Sequence, residues 1–279
     1  MFNLRIRATI RLRESRRSSY RGYVVFDSHC HPTDTDNPLG VVQSAIASGV
    51  GSLLACGYNA QSNEAVLNLR DQLPGLPIAI GLHPWFATEA IGGVTELIVN
   101  SFPVAIGECG LDAAVDESTA PRMMQRKVFE TQLEIAGQMK LPVSVHSRRA
   151  VAAVFDMVRE YPNVRGVMHA FGGSYEQAKL FVDRGWLIGF GGVITRRNAH
   201  RVRGIARRLP LEAMVLETDA PAIGLEGVEV PNVRPAHLPR IAAALAELRG
   251  VDVSELVEAT DKNAGRLFGS KVFRWTTVY

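Results

Sequence analysis

Short apolar runs alternate with longer amphipathic stretches along most of the chain. The apolar runs predict eight β-strands, at residues 23–26, 52–56, 77–82, 103–108, 142–146, 164–169, 186–190 and 214–217. The stretches with helical spacing predict helices at residues 60–72, 122–140, 148–161, 175–184, 199–209, 236–248 and 254–268. Gly250 and Gly269 follow the last two and are expected to stop them. Strand–helix alternation implies right-handed parallel crossovers, and eight units favour a TIM-type (β/α)8 barrel over an open sheet.

The composition supports a single well-packed α/β domain. The 279 residues are 47% hydrophobic and 21% charged, and a barrel of this type has about 250 residues. No internal repeat, low-complexity tract or interdomain linker interrupts the pattern. We therefore predict a barrel domain at residues 23–270, preceded by an extension at residues 1–22 and followed by a tail at residues 271–279.

The predicted extension is strongly basic. Residues 1–21 contain seven arginines and one acidic residue, Glu14. This composition resembles a mitochondrial transit peptide, but a mobile basic arm or an upstream start codon is the simpler interpretation, and we favour it. The rest of the chain is slightly acidic, so a nucleic-acid role cannot be argued from bulk charge.

The cysteines and the apolar runs predict a cytoplasmic protein with no membrane contact. Cys30, Cys56 and Cys109 are widely spaced and form no CxxC pair, which argues against a disulfide framework and indicates a reducing compartment. No apolar run approaches the roughly 20 residues needed to span a bilayer, and no secretory signal precedes the first strand. We expect a monomer.

The first predicted strand runs directly into two histidines. In Phe26-Asp27-Ser28-His29-Cys30-His31, the two imidazoles are separated by one residue and point the same way along an extended segment. Such a pair can hold a divalent cation, with Asp27 and backbone groups available to orient the rings. Chance surface or core histidines satisfy this short pattern too, so the rest of the chain decides its meaning.

Most histidines, like His29 and His31, lie at the carboxyl end of a predicted strand. Five of the seven fall at or just after the carboxyl end of a predicted strand, and so do four carboxylates: His29, His31, His83, His146, His169, Glu108, Asp112, Glu217 and Asp219. These ends open on one face of a parallel barrel, where active sites are built. A single histidine there is more often structural, and a single carboxylate can be a helix N-cap. Joint placement at one rim makes that explanation improbable.

This arrangement predicts two metal sites. His29 and His31 need an anionic ligand, and Asp219 follows the last strand, which lies beside the first in a closed barrel. Glu108 is placed to bridge to a second ion, which His146 and His169 would complete. Imidazole and carboxylate ligands suit zinc or manganese, and a carboxylate-bridged site also admits magnesium. Two such ions can lower the pKa of a shared water and stabilise an in-line displacement at phosphorus.

The ordered set of motifs resembles the TatD family of metal-dependent deoxyribonucleases, within the amidohydrolase-like barrels. The resemblance covers residues 25–269, and its motifs are DSHCH, GLHPW, GECGLD, PVSVHSR, GVMHAFGG, LETDAP and NAGRLFG, in chain order. Each motif alone is modestly specific, but the ordered set is highly specific. The resemblance implies a TIM barrel that removes nucleotides from DNA 3′ ends with divalent metals, and it implies the same six metal ligands.

The resemblance also implies substrate contacts and shows some departures. Phosphate or substrate contacts are implied near His83, Arg148 and Asn232. Where members commonly carry aromatic residues or a cysteine near the mouth, this chain has small or aliphatic ones: Ala113, Ala114, Ala222, Ile223 and Ala170. Fewer aromatic residues would leave less surface for stacking a base.

Three functions remain open. The first is a 3′-end deoxyribonuclease acting on single-stranded DNA or 3′ ends, in which a hydroxide activated by two metals attacks phosphorus, Glu108 bridges the metals and Asp219 accepts the proton from water. The second is a metal-dependent esterase or deacylase acting on aminoacyl-tRNA or another acyl substrate. The third is a non-catalytic binding module, which a complete ligand set argues against. Arg148, Arg196 and Arg197 near the rim favour a phosphate-bearing substrate, although the last two could be a solvated turn.

Overall fold

Eight parallel strands pair in chain order in the computed structural model, which describes residues 25–273. The strands are β1 (Val25–Cys30), β2 (Val50–Cys56), β3 (Ile78–Ile80), β4 (Ala105–Asp112), β5 (Val143–Arg148), β6 (Gly166–Met168), β7 (Leu187–Phe190) and β8 (Met214–Leu216). Every strand is parallel to its neighbour and is separated from it by helical segments. The predicted TIM-type (β/α)8 barrel is confirmed.

Nine α-helices lie in the described residues, two more than the sequence pattern predicts. They are α1 (Pro38–Ala47), α2 (Ala60–Gln72), α3 (Ile91–Ser101), α4 (Arg122–Met139), α5 (Val151–Val158), α6 (Tyr175–Val182), α7 (His200–Arg208), α8 (Leu238–Arg249) and α9 (Val253–Phe268). The unpredicted helices, α1 and α3, contain glycines that lower intrinsic helix propensity. Packing compensates, since α3 buries Val94 and Ile98. Gly250 and Gly269 end α8 and α9 as predicted.

Three strands extend beyond their predicted carboxyl ends into polar sequence. The pairing of β4 with β5 continues through Gly110 opposite His146 and Asp112 opposite Arg148. Similarly, β1 continues to Cys30. The sequence pattern ends these strands too early because it follows apolar runs, whereas the hydrogen-bonded ladder continues through the residues of the site. His29, Glu108 and His146 therefore lie on strands, which hold them more rigidly than loops would.

The barrel closes between β1 and the segment after β8. The Asp219 amide donates to the His29 carbonyl at 2.9 Å, and the His31 amide donates to the Ala220 carbonyl at 2.7 Å. The Asp27 carboxylate accepts from the Thr218 amide and hydroxyl at 2.9 and 2.6 Å. The last strand thus lies beside the first, as predicted. Asp27 ties the two segments together and does not orient the histidine rings directly, contrary to expectation.

The opposite end of the barrel is sealed by the end of the described chain. Phe26 packs against the rings of Phe268 and Phe273, and Val272 is buried. Packing therefore continues to residue 273, three residues beyond the predicted domain boundary. Residues 1–24 and 274–279 lie outside the described residues, so the basic extension and the rest of the tail stay predictions.

The three cysteines take no part in disulfides and are poor metal ligands. Cys30, Cys56 and Cys109 are buried and free. Burial raises the pKa of each thiol, so the reactive thiolate form is disfavoured at neutral pH. Among residues 25–273, no helix is both long and apolar enough to cross a bilayer.

Asp261 should make the fold less stable as the pH rises. It lies on α9, and its Oδ1 accepts from the Phe26 amide at 2.9 Å. Burial raises its pKa from 3.8 to about 7, so the folded state binds a proton that the unfolded state releases between these values. Stability is therefore full below about pH 4 and decreases by up to about 4 kcal/mol as the pH rises to about 7.

Asp261→Asn tests this linkage, since its amide oxygen can still accept from Phe26. We expect the variant to gain stability relative to the wild type as the pH is raised. The measurement is urea unfolding of both proteins across this range with a chelator present, so that groups titrating elsewhere cancel in the difference. A difference that does not change with pH would contradict the assignment.

Candidate metal centre

Four of the predicted ligands meet at the carboxyl end of β1, β4 and β8. The Nε2 atoms of His29 and His31 are 3.2 Å apart. Glu108 Oε2 lies 3.5 Å from the first and 3.3 Å from the second. Asp219 Oδ1 lies 3.9 and 3.4 Å from the same two atoms. The structure thus assembles the first predicted site from residues up to 190 positions apart in the chain.

The other oxygen of Glu108 faces three more histidines. Its Oε1 lies 2.9 Å from His169 Nε2, 3.1 Å from His146 Nδ1 and 3.3 Å from His83 Nε2. The rings of His169 and His29 are stacked, 3.9 Å between centroids, so His169 borders both groups. The two carboxylate oxygens of Glu108 therefore face two separate groups of nitrogen atoms, which is the arrangement that a bridging ligand requires.

Two glycines allow Glu108 to reach this position. Gly107 and Gly110 have positive φ values of 153° and 129°. A Cβ on Gly107 would lie 2.7 Å from the Ser144 carbonyl oxygen, and one on Gly110 would lie 2.2 Å from that of His146. Side chains at these positions would push β4 away from β5. The glycines of the GECG segment thus keep Glu108 against the ligands of the neighbouring strand.

The ring contacts of His31 show that the first group fits a cation. Its Nδ1 lies 2.9 Å from the Cys56 carbonyl oxygen, which can only accept, so Nδ1 carries hydrogen and Nε2 of the neutral ring has a lone pair. That lone pair faces carboxylate oxygens of Glu108 and Asp219. Lone pairs that converge in this way repel unless a proton or a metal ion lies among them. His29 Nδ1 lies 2.8 Å from the Ser144 hydroxyl, and its Nε2 faces Glu108 and Asp219.

The pKa directions show that this group attracts positive charge, which a proton or a metal ion can supply. Burial, helped by the neighbouring His169, lowers the pKa of His29 to about 4 and keeps this ring neutral. Burial alone would raise the pKa of Glu108 and Asp219, but the surrounding histidines outweigh it and lower both values. For His31, burial is outweighed by the same two carboxylates, which raise its pKa well above the usual range. Ionised carboxylates beside buried imidazoles form a donor set that divalent cations satisfy.

His83 differs from the other histidines in its tautomer. Its Nδ1 accepts from the Trp85 amide at 3.1 Å, so hydrogen of the neutral ring must lie on Nε2. Burial lowers the pKa of His83 and favours this neutral form. Its Nε2 is therefore a hydrogen-bond donor aimed into the centre, not a lone pair. This distinguishes His83 from His31 and His146, whose neutral rings direct a lone pair at Glu108. Its contact with a substrate stays a prediction.

Asp112 holds the second group in place, a role that the sequence prediction did not assign. Its carboxylate is fully buried and accepts from Trp85 Nε1 at 2.7 Å and Arg148 Nε at 3.0 Å. Its Oδ2 also lies 3.1 Å from His146 Nε2, which leaves His146 Nδ1 directed at Glu108. Burial alone would raise the pKa of Asp112, but these hydrogen bonds keep it well below its usual range. Spacing could have revealed this role, because Asp112 and Glu108 share a face of β4.

Glu217 positions the segment that carries His169. Its Oε1 accepts from the Ala170 amide at 2.6 Å, where Ala170 has a positive φ of 44°. Gly189 leaves space for this carboxyl group, because a Cβ there would lie 2.2 Å from Glu217 Oε2. Burial raises the pKa of Glu217 to about 8. Its Oε2 and His169 Nδ1 are both buried without a hydrogen-bond partner among the described residues, which marks this side of the centre as incomplete.

The centre lies at the bottom of a cavity of about 900 Å³. One wall is aromatic and consists of Tyr58, Trp85 and Phe86, from the segments after β2 and β3. Trp85 is 44% exposed, and its indole nitrogen is fixed by Asp112. Aromatic surface is thus present at the mouth although Ala113 and Ala222 do not contribute to it. The sequence prediction overlooked it because Trp85 was noted only as part of a motif.

The predicted substrate contacts are placed differently from one another. His83 and Arg148 line the cavity. Asn232 lies exposed in the segment between β8 and α8, and its backbone amide donates to the Glu229 carbonyl. It is not among the residues that line the cavity, so its contact with a substrate stays a prediction.

Asp112→Asn should weaken the second group. An amide in this position keeps the shape but places a donor against Trp85, Arg148 or His146, which are donors themselves. We expect metal affinity to fall roughly 10- to 100-fold, as it does when a residue that orients a metal ligand is replaced. Metal titration should show lower affinity at one site, and the melting temperature controls for misfolding. Unchanged affinity would show that Asp112 does not orient His146.

Comparison with known proteins places this site in a family. The sequence profile described as TatD related DNase matches residues 26–269, nearly all of the described chain. An uncharacterized metal-dependent hydrolase, YjjV from Escherichia coli K12, is 34% identical over 252 residues, which cover 87% of this chain and 96% of that protein. A 3′-5′ ssDNA/RNA exonuclease, TatD from Citrobacter rodentium, is 35% identical over 242 residues, covering 82% and 90%.

A solved structure agrees with the sequence comparison. The crystal structure of the TatD homolog YjjV from Escherichia coli K12 superposes with a TM-score of 0.80 at 32% identity, covering 88% of this chain and 97% of that one. Both the fold and the sequence are thus similar over most of the barrel. The chain belongs to the TatD related DNase family of metal-dependent hydrolases.

Proposed function

We propose that this hydrolase is an exonuclease that removes nucleotides from the 3′ ends of single-stranded DNA with two divalent cations. His29, His31 and Asp219 would hold one ion, His146 and His169 the other, and Glu108 would bridge them. One observation carries the choice of substrate: the mouth places an anchored arginine and an aromatic wall beside the ligand cluster. A phosphate and a base are the groups that such a pair recognises. The exonuclease named among the relatives supports the same choice.

Divalent ions bound at this centre would supply Lewis acidity and would lower the pKa of water. A residue of the chain would accept the proton of the attacking water. Asp219 lines the cavity and is held at a positive φ of 50° by hydrogen bonds to the segments around it. Its pKa is lowered, and it can accept the proton that water loses on attacking phosphorus. The bond between phosphorus and O3′ of the preceding nucleotide breaks and O3′ takes up a proton from solvent, giving a nucleoside 5′-phosphate and a new 3′-hydroxyl.

Arg148 and His83 would bind the scissile phosphate. The Nε atom of Arg148 is anchored by Asp112, and its guanidinium carbon lies 5.4 Å from the centre of the Trp85 ring. Its outer nitrogens make no hydrogen bond to residues 25–273 and are available to bind an anion at the mouth. The Nε2 hydrogen of His83 points into the same space. Such donors are effective in catalysis because they are oriented before the reaction begins.

The terminal base would stack on the aromatic wall. Trp85 is partly exposed and its indole nitrogen is fixed by a hydrogen bond, and Tyr58 is fixed by its hydroxyl contact with Asp34 at 3.2 Å. Stacking on a fixed aromatic ring contributes about 1–3 kcal/mol per base and tolerates any base. This supports an exonuclease without marked sequence preference.

The decisive experiment compares substrates of different chemistry. The protein is incubated with 5′-labelled single-stranded DNA, the same strand as RNA, and aminoacyl-tRNA, each with magnesium, manganese or zinc. We expect stepwise loss of 3′ nucleotides from DNA as 5′-monophosphates, and none with a chelator. Deacylation of aminoacyl-tRNA without shortening of DNA would replace the nuclease proposal with the acyl hydrolase.

A further inference from the structure

The charged residues of the mouth are unevenly distributed. Arg148 and Arg149, at the end of β5, and Arg201, on α7, line the cavity. The segment after β1 contributes Asp34, which is engaged by Tyr58 on the aromatic wall. Because the strands follow chain order around the barrel, the arginines lie on the side of β5–β7 and the aromatic wall on the side of β2 and β3. One side of the mouth is thus suited to anions.

Arg149 and Arg201 have no role in the centre described above. Both side chains are exposed, and within residues 25–273 neither takes part in an ion pair or hydrogen bond. Arg149 also has a positive φ of 55°, a conformation that non-glycine residues seldom adopt and that concentrates at functional sites. The position therefore holds a guanidinium at the mouth despite an unfavourable backbone conformation.

Other arginines of this region are already engaged or lie elsewhere. Arg203 donates to the Ile194 carbonyl at 2.7 Å, and the guanidinium of Arg208 lies 3.5 Å from the centre of the Tyr175 ring. Arg196 packs close to Gly224, and neither it nor Arg197 lines the cavity. Arg149 and Arg201 are therefore better positioned to bind substrate phosphates than Arg196 and Arg197, from which these contacts were first expected.

The segment between these two arginines leaves room for a polymer backbone. It follows β6 and includes Gly172 and Gly173, which line the cavity without side chains. A Cβ on Gly172 would meet no atom within 4 Å, so the space above it is open. A nucleic-acid strand that leaves the centre on this side would pass over these glycines, between Arg149 on the β5 side and Arg201 on the β7 side.

We propose that Arg149 and Arg201 bind backbone phosphates on the 5′ side of the scissile phosphate. This inference rests on the proposed nuclease function and adds the direction in which the strand lies: terminal base on the aromatic wall, upstream phosphates over the β6–α6 segment. It follows that the protein prefers strands of several nucleotides to dinucleotides, because a dinucleotide has no phosphate upstream of the scissile one.

The test uses strand length and salt together. Substrates are a dinucleotide, a tetranucleotide and a strand of about 16 nucleotides, and the variants are Arg149→Asn, Arg201→Gln and the double variant. Asparagine is chosen at position 149 because it tolerates a left-handed backbone. Arg207→Gln is the matched control, since Arg207 is exposed on the same helix and does not line the cavity.

For the long strand, KM of the double variant should rise about 5- to 30-fold, with dinucleotide cleavage unchanged. The slope of log affinity against log salt should decrease by about 0.7 for each arginine removed. Equal losses on short and long substrates, or an equal loss in Arg207→Gln, would overturn the inference.

Binding separates this inference from the proposed function. Fluorescence anisotropy with phosphorothioate strands of the same lengths, in the presence of chelator, requires no turnover. Length-dependent binding that the double variant loses supports the phosphate contacts even if no cleavage is seen, in which case only the nuclease proposal fails. Binding by the wild type that is independent of length overturns the contacts even if cleavage occurs.

Discussion

Replacing Glu108 by Ala or Gln should reduce activity by at least about 10³-fold and should also lower the metal content of the protein. Glu108 places one carboxylate oxygen in each ligand group: Oε2 lies 3.3 Å from His31 Nε2, and Oε1 lies 2.9 Å from His169 Nε2. Its removal takes one anionic oxygen from each group at once. Loss of a single histidine would affect one group more than the other.

Elemental analysis of the purified variants measures this directly, together with nucleotide release from labelled single strands. Glu64→Gln is a suitable control, because Glu64 is an exposed carboxylate on α2. Full metal content in Glu108→Ala would remove the bridging role. Loss of metal in both the variant and the control would indicate a general effect on folding, which a melting curve would reveal.

Asp219→Asn should abolish turnover while single-stranded DNA still binds. The change keeps the size of the side chain and removes its charge and basicity, and asparagine tolerates the positive φ of 50° found at this position. The hydrogen bonds that place the residue come from its backbone, so the barrel closure should survive. Loss of a general base alone costs about 10²–10⁴-fold, and weaker metal binding would add to it.

Steady-state kinetics and binding separate Asp219 from Arg148. Asp219→Asn should lower kcat with little change in DNA affinity. Arg148→Ala should raise KM as well as lower kcat, because the phosphate contact already exists in the ground state. Turnover near the wild-type level in Asp219→Asn would exclude this residue as the proton acceptor, and another base would have to be sought.

The sequence by itself determined the architecture and the ligand candidates. Eight apolar runs separated by helical patterns predict the barrel, because each buried parallel strand must be apolar and each crossover needs a helix. The position of the histidines and carboxylates just after those runs places them at one rim. His29, Glu108 and Asp219 could therefore be assigned to a common centre before any contact was known.

The tertiary structure decided how these groups act. Only the hydrogen bonds of neighbouring segments fix the tautomers. The Cys56 carbonyl of β2 accepts from His31 Nδ1, which leaves a lone pair on Nε2 of the neutral ring, whereas the Trp85 amide donates to His83 Nδ1, which leaves the hydrogen on Nε2. Only the packing of distant loops showed that Tyr58 and Trp85 form an aromatic wall and that Arg201 reaches the mouth. Local sequence carries the preference of each segment for strand or helix. The orientation of a side chain at the site depends on residues far away in the chain, and no local pattern records them.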